Sequence, residues 1–410
     1  MNGPLLLAAI SGAFLAQVGI GVGLAFWRIQ RTNLAAPAVD TDEAAAAGPG
    51  AWQGWRDFRV VRAGFEDRSA AQRSFVIAPV DGAVLPDFAP GQYLTFSLDL
   101  AGSPTEPART IVRCYSLSDR PNSETYRVTI KRMPAPPARS DLPAGAASGY
   151  FHDTVREGDV LRVKAPGGQF VLDTGADLPA IFLAGGIGVT PMISMLLWSI
   201  AHQPQRRLHL VYGVRNIGDH AFKDLLEGLA QSHPAFRLDI LYGDPGPDDV
   251  EARDYQHVGF IDIALLQRIL PDGRHQFYVC GPPAMMAALV PALAAWGVPS
   301  ADIHSESFGP ASSGFVPRGE RAVLATSIEV RFGRSRRTLQ WTGEEANLLD
   351  FAERHGIPVD SGCRSGSCGS CETRLLAGEV HYESKPDYEV TAGSCLLCVA
   401  TPVSALALEA

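Results

Sequence analysis

The sequence is short of charge. Of its 410 residues 19% are charged, and 35 lysines and arginines are outnumbered by 44 aspartates and glutamates, leaving a net charge of −9. No basic stripe breaks that balance, so the electrostatic footprint of a DNA- or RNA-binding protein is missing. Apolar residues make up 46% of the chain, enough for real cores and too much for a disordered polymer. There is no internal repeat, which excludes a repeat array. Cysteines are few, seven in all, and are not spread as a secreted disulfide scaffold would spread them. Cys114 and Cys280 stand alone, whereas Cys363, Cys368, Cys371, Cys395 and Cys398 fall within 36 residues. Such a bunch near one end of a long chain reads as a metal or cluster site.

Charge is absent altogether from Leu5 to Trp27, a run of 23 residues. As a helix it would rise about 34 Å, against a hydrocarbon core of about 30 Å. A cleaved signal peptide needs a positive leader, and Met1 to Pro4 carries none. The first cations, Arg28 and Arg31, follow the run. The expectation is a single N-terminal transmembrane helix in the cell inner membrane, with the folded body in the cytoplasm. Arg31 to Gly50 is rich in Ala and Pro without apolar period and reads as a flexible tether, so residues 1–50 form anchor and tether.

From 51 to 175 the text is strand-like. Segments such as RSFVIAPV, GQYLTFSLDL, TYRVTIKRM and DVLRVKAP are separated by Pro, Gly and Asp clusters, the pattern of an antiparallel β-barrel. From 176 to 312 apolar runs alternate with helical spacing (PAIFLAGG, MISMLLWSIAHQ, RLHLVYGVRN, HAFKDLLEGLAQSH, FRLDILYG, QFYVCGPP), which implies an α/β doubly wound parallel sheet. Pro310 to Arg321 looks like a linker. Residues 323–410 make a third, α+β unit with strands SIEVRF and RTLQW, a short helix NLLDFAERHG, and the cysteine loop.

That loop reads Cys363-x4-Cys368-x2-Cys371, with Cys395 and Cys398 further on. The spacing is that of plant-type 2Fe–2S ferredoxins. Three close thiolates on one loop wrap a small cluster, a distant fourth closes the cage, and Gly362, Gly366 and Gly369 bring backbone amides near sulfur. Zinc is the rival, because Cys368/Cys371 and Cys395/Cys398 form two C-x2-C knuckles; it leaves Cys363 idle. By spacing alone the fourth ligand is Cys395 or Cys398.

Two further motifs precede the loop. In Arg113-Cys114-Tyr115-Ser116 the Arg can neutralise a diphosphate, the Tyr can lie on a conjugated ring, and the Ser can bond to a ring nitrogen. Gly145 and Ser148 follow at the start of a helix, where Gly145 lets backbone approach and the Ser148 hydroxyl can donate to phosphate; His152 in that helix reads as a packing residue. AGGIGVTP places Gly185, Gly186, Gly188, Thr190 and Pro191 between an apolar strand and a helix, a phosphate cradle at a helix N-terminus. Cys280-Gly281-Pro282 ends a second strand in the same way.

Taken in this order, the motifs resemble the ferredoxin–NADP reductase family, in the form fused to a C-terminal plant-type ferredoxin that serves oxygenases, such as the phthalate dioxygenase reductase and phenylacetyl-CoA epoxidase reductase types. The resemblance implies a β-grasp fold for the third unit and FAD on Arg113, Tyr115, Ser116, Gly145 and Ser148. It puts NAD(P)H on the Gly185–Pro191 loop and Cys280-Gly281-Pro282, with Cys280 and Thr190 at the nicotinamide. Glu306 and Phe308 (HSESFG) come back towards the flavin, and Tyr115, Ser116, Cys280 and Glu306 are the catalytic candidates. It selects Cys363, Cys368, Cys371 and Cys398 as cluster ligands, leaving Cys395 a bystander. The acids of LYGDPGPDD favour NADH over NADPH, although Arg215 could meet a phosphate. The implied activity passes electrons from NADH through flavin and cluster to a separate, membrane-associated acceptor protein such as an oxygenase, hydroxylase, desaturase or haem enzyme. No globin, Rieske or di-iron motif is present to supply the terminal chemistry on this chain. A sodium-translocating NADH:quinone reductase subunit carries the same modules with the ferredoxin unit first, an order this sequence reverses. A redox sensor with a degenerate reductase is the third reading, against which the intact glycine loop and Arg-x-Tyr-Ser motif stand.

Overall fold

The computed structural model describes residues 51–102, 108–135, 144–308, 327–364, 366, 368–382, 386, 388 and 390–410. The apolar run Leu5–Trp27, the tether and the Pro310–Arg321 linker lie outside the described residues. Among the described residues no helix is long and apolar enough to cross a membrane.

The first sheet is antiparallel. It holds β1 (Arg56–Phe65), β2 (Gln72–Pro79), β3 (Tyr93–Leu100), β4 (Arg109–Ser116), β5 (Tyr126–Lys131) and β6 (Val160–Gly167) in the order β4-β3-β6-β1-β2-β5. Alternation sets each strand's inner face: Phe58 and Val60 are buried while Asp57 and Arg59 face out. An isolated bridge from Leu117 to Val128 joins the two outer strands and closes the barrel. The helix Ala146–Asp153 covers one end. Its Phe151 is fully buried and meets Phe96 and Tyr115 edge-on, at centroid distances of 5.4 and 5.2 Å. Truncating such a ring costs about 3–5 kcal/mol.

The second sheet is parallel throughout. It contains β7 (Ala180–Gly185), β8 (Leu208–Val214), β9 (Phe236–Tyr242), β10 (His257–Val258), β11 (Gln276–Gly281) and β12 (Ile303–Ser307), ordered β10-β9-β8-β7-β11-β12. Every β7 residue is buried, as a strand covered on both faces requires. Phe182, Leu210 and Tyr212 pack under the helices Val189–His202 and Lys223–Ser232. Leu183, Val211 and Val279 face the helices Ile263–Ile269 and Pro283–Ala295. The chain runs outward from β7 to β10, then returns to place β11 on the other side of β7. Ligands of such sheets bind at the carboxyl ends of the strands flanking this reversal.

The third unit is mixed. It has β13 (Ile328–Phe332), β14 (Arg337–Trp341), β15 (Glu372–Ala377), β16 (Val380–Tyr382), β17 (Ser394–Leu396), β18 (Ala400–Pro402) and β19 (Leu406–Leu408). Five form the sheet β14-β13-β19-β15-β17, and β16 pairs with β18. The helix Leu348–Arg354 starts at Asn347, whose side chain accepts from the Asp350 N–H at 2.9 Å. It buries Leu348, Leu349, Phe351 and Ala352 against Phe332, Trp341 and Leu408.

Candidate active site

The glycine loop sits at the reversal of the parallel sheet. Gly185 ends β7, Gly186–Gly188 form a 3-10 turn, and the helix Val189–His202 begins at once, with Pro191 in its first turn. Thr190 is buried, and its hydroxyl donates to the Ile187 carbonyl at 3.0 Å. A β-carbon on Gly188 would lie 2.2 Å from the Cys280 carbonyl oxygen, so this turn packs directly on the end of β11. Gly185 meets Pro282 and Met285 in the same manner. Beside Gly186 nothing lies within 4 Å of the space a side chain would take. The loop therefore offers helix N-terminal amides beside an open approach, a setting that fits a diphosphate.

Cys280 is fully buried, in register with Ala184 on one side and Glu306 on the other. Burial, and then the Glu306 carboxylate, push its thiol well above the ordinary range. It is a neutral S–H rather than a nucleophile. Phe308 is half-buried against the core under β7 and β8. Arg215, at the end of β8, is bound to Asp219, with Nη2 to Oδ2 at 2.9 Å.

In the barrel, β3 and β4 pair so that Tyr93 faces Ser116, Leu94 faces Tyr115, and Thr95 faces Cys114. Burial raises the Tyr115 phenol above its usual range, with the Arg113 charge opposing. Burial, and then the Arg364 charge, lower the Arg113 guanidinium. Arg364 is itself paired with Glu353 and Asp350, so Arg113 is the guanidinium of this motif that suits a phosphate-bearing cofactor. Ser148 departs from its expected use: its hydroxyl donates to the Gly145 carbonyl at 3.0 Å and accepts from the Met133 N–H at 3.0 Å. It shapes the turn, and the backbone is what that turn can offer to a phosphate. His152 is buried, with Nε2 2.9 Å from the Ile130 carbonyl, as a packing histidine.

The cysteine loop is tight. A β-carbon on Gly362 would lie 2.7 Å from Cys368 Sγ. The Cys363 N–H donates to Cys368 Sγ at 3.2 Å, and the Cys398 N–H to Cys371 Sγ at 3.5 Å. Among the described residues no group of three or more ligating side chains is gathered as the cage of one metal ion would gather them. Zinc and a 2Fe–2S cluster each take four thiolates in all, and amide donors to sulfur are what a cluster adds to that demand. Two pairs with amide donors to sulfur fit the cluster. Cys395 is fully buried opposite Thr373 on β15, and burial pushes its thiol up to about 12.

Tyr93 lies on β3, in register with Ser116 of β4. It is buried, and among the described residues its hydroxyl has no hydrogen-bond partner. Burial raises its phenol strongly, and Cys114, Cys363, Cys368 and Glu306 all act on it. Charges from the barrel, the cysteine loop and the nicotinamide sheet thus all reach one side chain. The sequence pattern marks Tyr93 only as a strand residue and gives Arg364 no role, because their neighbours come from distant segments.

Residues 182–290 match the oxidoreductase NAD-binding domain family, and residues 332–403 the 2Fe-2S iron-sulfur cluster binding domain family. A flavohemoprotein of Bacillus cereus is 38% identical over 271 residues, 66% of this chain and 65% of that protein. The match thus spans just under two thirds of the relative's own length. The flavohem-like FAD/NAD-binding domain of nitric oxide dioxygenase from Vibrio cholerae O1 biovar El Tor is 33% identical, covering 62% of this chain and 99% of that domain with a TM-score of 0.53. Phthalate dioxygenase reductase, described as a modular structure for electron transfer from pyridine nucleotides to 2Fe-2S, is 26% identical, covering 87% of this chain and 98% of that one with a TM-score of 0.53.

Proposed function

Because the chain belongs to the ferredoxin–NADP reductase-like flavoprotein reductases with a C-terminal 2Fe–2S domain, we propose that it is a membrane-tethered NADH-dependent reductase feeding single electrons to a separate oxygenase, hydroxylase, desaturase or haem enzyme. It is an NAD(P)H-dependent oxidoreductase whose cofactors are FAD and a 2Fe–2S cluster. The flavin supplies the change from a two-electron donor to one-electron transfer, and the cluster supplies the outlet.

The residues of this chain bind, orient and exclude water. The Gly185–Pro191 turn and Pro282 hold the dinucleotide diphosphate at a helix N-terminus. Neutral Cys280 and buried Thr190 shape the nicotinamide end. Arg113 and the Gly145 turn take flavin phosphate, and Tyr115 and Ser116 face its ring. The observation that carries the reading is the glycine turn packed on the end of β11 at the sheet's reversal, on one chain with a cysteine loop whose backbone amides donate to sulfur. NADH is favoured because Arg215 is already paired with Asp219, and Asp244, Asp248 and Asp249 follow β9 where a 2′-phosphate would need cations. From Thr326 on, 8 basic and 12 acidic residues give −4, which suits an acceptor with a basic docking face.

Purified full-length protein is expected to show flavin and cluster absorption and to reduce ferricyanide or cytochrome c with NADH. A preparation reconstituted with both cofactors that turns over neither acceptor overturns the activity. The expressed chain is expected in the membrane pellet after an alkaline carbonate wash, and its recovery in the wash overturns the tether.

A further inference from the structure

The loop that follows β8 does more than carry Arg215. It docks on the barrel, against the turn that joins β1 to β2. The Ser69 N–H donates to the Gly218 carbonyl at 3.0 Å, and the Phe222 N–H to the Glu66 carbonyl at 3.1 Å. Gln72 Nε2 donates to the Asp219 carbonyl at 2.8 Å. Lys131, opposite Gln72 on β5, brings Nζ to 4.0 Å from Asp219 Oδ2. The Arg127 guanidinium lies over the Phe222 ring, 5.4 Å from its centroid. Each side is braced from within. Asp67 Oδ1 accepts from the Ala71 and Gln72 N–H groups at 3.1 and 2.9 Å, and Asn216 Oδ1 from the Gly218 N–H at 3.1 Å. Ala70 on one side and Phe222 on the other are held at φ 54° and 59°, a left-handed region that residues other than glycine rarely take. Such conformations persist only where the surroundings over-determine them.

This clasp stands apart from the covalent link between barrel and sheet. At the link the Leu172 N–H donates to the Pro90 carbonyl at 2.9 Å, and Arg206 donates to the Asp173 and Leu178 carbonyls at 3.0 and 2.9 Å. Arg206 precedes β8 and Asp219 follows it, so link and clasp lie at opposite ends of a strand of seven residues, about 20 Å apart. Two bodies held at one end can swing; held at both, they cannot. Gln72 is the fully buried member of the clasp. Its Nε2 reaches the Asp219 carbonyl and, at 3.3 Å, Asp67 Oδ2 of its own turn. Its Oε1 has no hydrogen-bond partner among the described residues. An orphaned buried acceptor is destabilising, and a methionine of the same reach would avoid it, so packing does not account for the amide.

We propose that Gln72 is a positioning residue, closing a clasp that stays shut during turnover and keeps the nicotinamide sheet aligned with the flavin. This rests on the NAD(P)H-to-flavin activity and needs neither the acceptor nor the membrane. Hydride transfer requires reacting atoms about 3–3.5 Å apart, and a misplacement of about 1 Å costs about a hundredfold. A small swing about the link is enough to matter.

The test uses full-length holoprotein and follows flavin reduction by NADH in stopped-flow absorbance. Gln72→Met is expected to slow reduction at saturating NADH at least about tenfold. NADH affinity is expected to stay within about twofold, because the glycine turn belongs to the sheet. Amide hydrogen exchange over residues 66–72 and 216–222 is expected to quicken in the same variant. The Ser69 β-carbon lies 3.9 Å from where Gly218 would carry one, the separation of a disulfide. Ser69→Cys/Gly218→Cys is therefore expected to cross-link under a mild thiol oxidant and, cross-linked, to keep the wild-type rate. With Gln72→Met added, the cross-link is expected to restore the rate to within about twofold, and its reduction to remove the rescue. A wild-type rate in Gln72→Met overturns the inference alone. So does a slow rate that the cross-link fails to rescue, a cross-linked double variant slower than its reduced form, or no cross-link at all. If Gln72→Met does not fold, the double variant decides by itself. Wild-type protein whose flavin NADH does not reduce overturns the reductase reading and this inference with it.

Discussion

Gly188 lies so close to Cys280 that a β-carbon on it would stand 2.2 Å from the Cys280 carbonyl oxygen and 2.8 Å from the Gly281 nitrogen. Neither atom is the end of a flexible side chain, so strand and turn would have to part. Overpacking of this kind costs about 1–3 kcal/mol. Gly188→Ala is expected to lower kcat/KM for NADH at least about tenfold, while flavin and cluster spectra stay as in wild type. A steady-state assay paired with absorption spectra checks it.

Asp219 is the counter-charge that occupies Arg215. Asp219→Asn keeps the shape and removes the charge, leaving the guanidinium for a 2′-phosphate. The ratio of kcat/KM for NADPH over NADH is expected to rise about three- to tenfold, the range of one surface ion pair strengthened by partial burial. An unchanged ratio would mean that Arg215 does not reach the ribose.

Cys398 and Cys395 are three residues apart and behave oppositely in this geometry. Cys398→Ser is expected to abolish the cluster's absorption and paramagnetic signal and leave the flavin bound. Cys395→Ala is expected to keep both, with a stability loss of about 1 kcal/mol for a small buried side chain. Iron and acid-labile sulfide analysis of the two variants separates the ligand from its neighbour.

His220 gives the stability a pH dependence. It is buried between Tyr212 and Tyr242, with Nδ1 3.0 Å from the Tyr242 hydroxyl. Burial, aided by the Lys223 charge, lowers it to about 3. Between that value and its ordinary 6.5 the unfolded chain binds a proton that the folded chain refuses, so stability falls as the solution is acidified below pH 6.5. The loss from this one group approaches about 1.4 kcal/mol per pH unit, or about 2 kcal/mol by pH 5. His220→Gln is expected to flatten the pH 5–7 portion of a denaturation profile, and a parallel profile in the variant would place the proton uptake elsewhere.

Local chemistry was legible in the sequence, and long-range chemistry was not. The Gly185–Pro191 turn works through neighbours in the chain and its strand–turn–helix setting, so its residues announce it. The helix at Leu348 announces itself through Asn347. The resemblance chooses Cys398 over Cys395, and spacing alone does not; the physical difference is in three dimensions, where β17 pairs Cys395 with Thr373 while Cys398 follows the strand beside Cys371. Ser148 faces its own turn because Met133, across a loop, supplies an N–H, and no spacing rule encodes that. Tyr93 feels the charges of Cys363 and Cys368, more than 250 residues away in the chain.

The barrel's closure also bears on assembly. Its ends meet through the Leu117–Val128 bridge and the Ser118 N–H to Arg127 carbonyl bond of 2.8 Å, one residue beyond Ser116. Side chains reinforce it: Ser118 Oγ and Thr129 Oγ1 are 2.8 Å apart, and Arg127 Nε donates to the Ser118 carbonyl at 3.1 Å. The flavin motif thus ends where side chains, as much as a backbone ladder, hold the barrel shut, so a substitution at Ser118 or Arg127 would act on both the wall and the motif beside it.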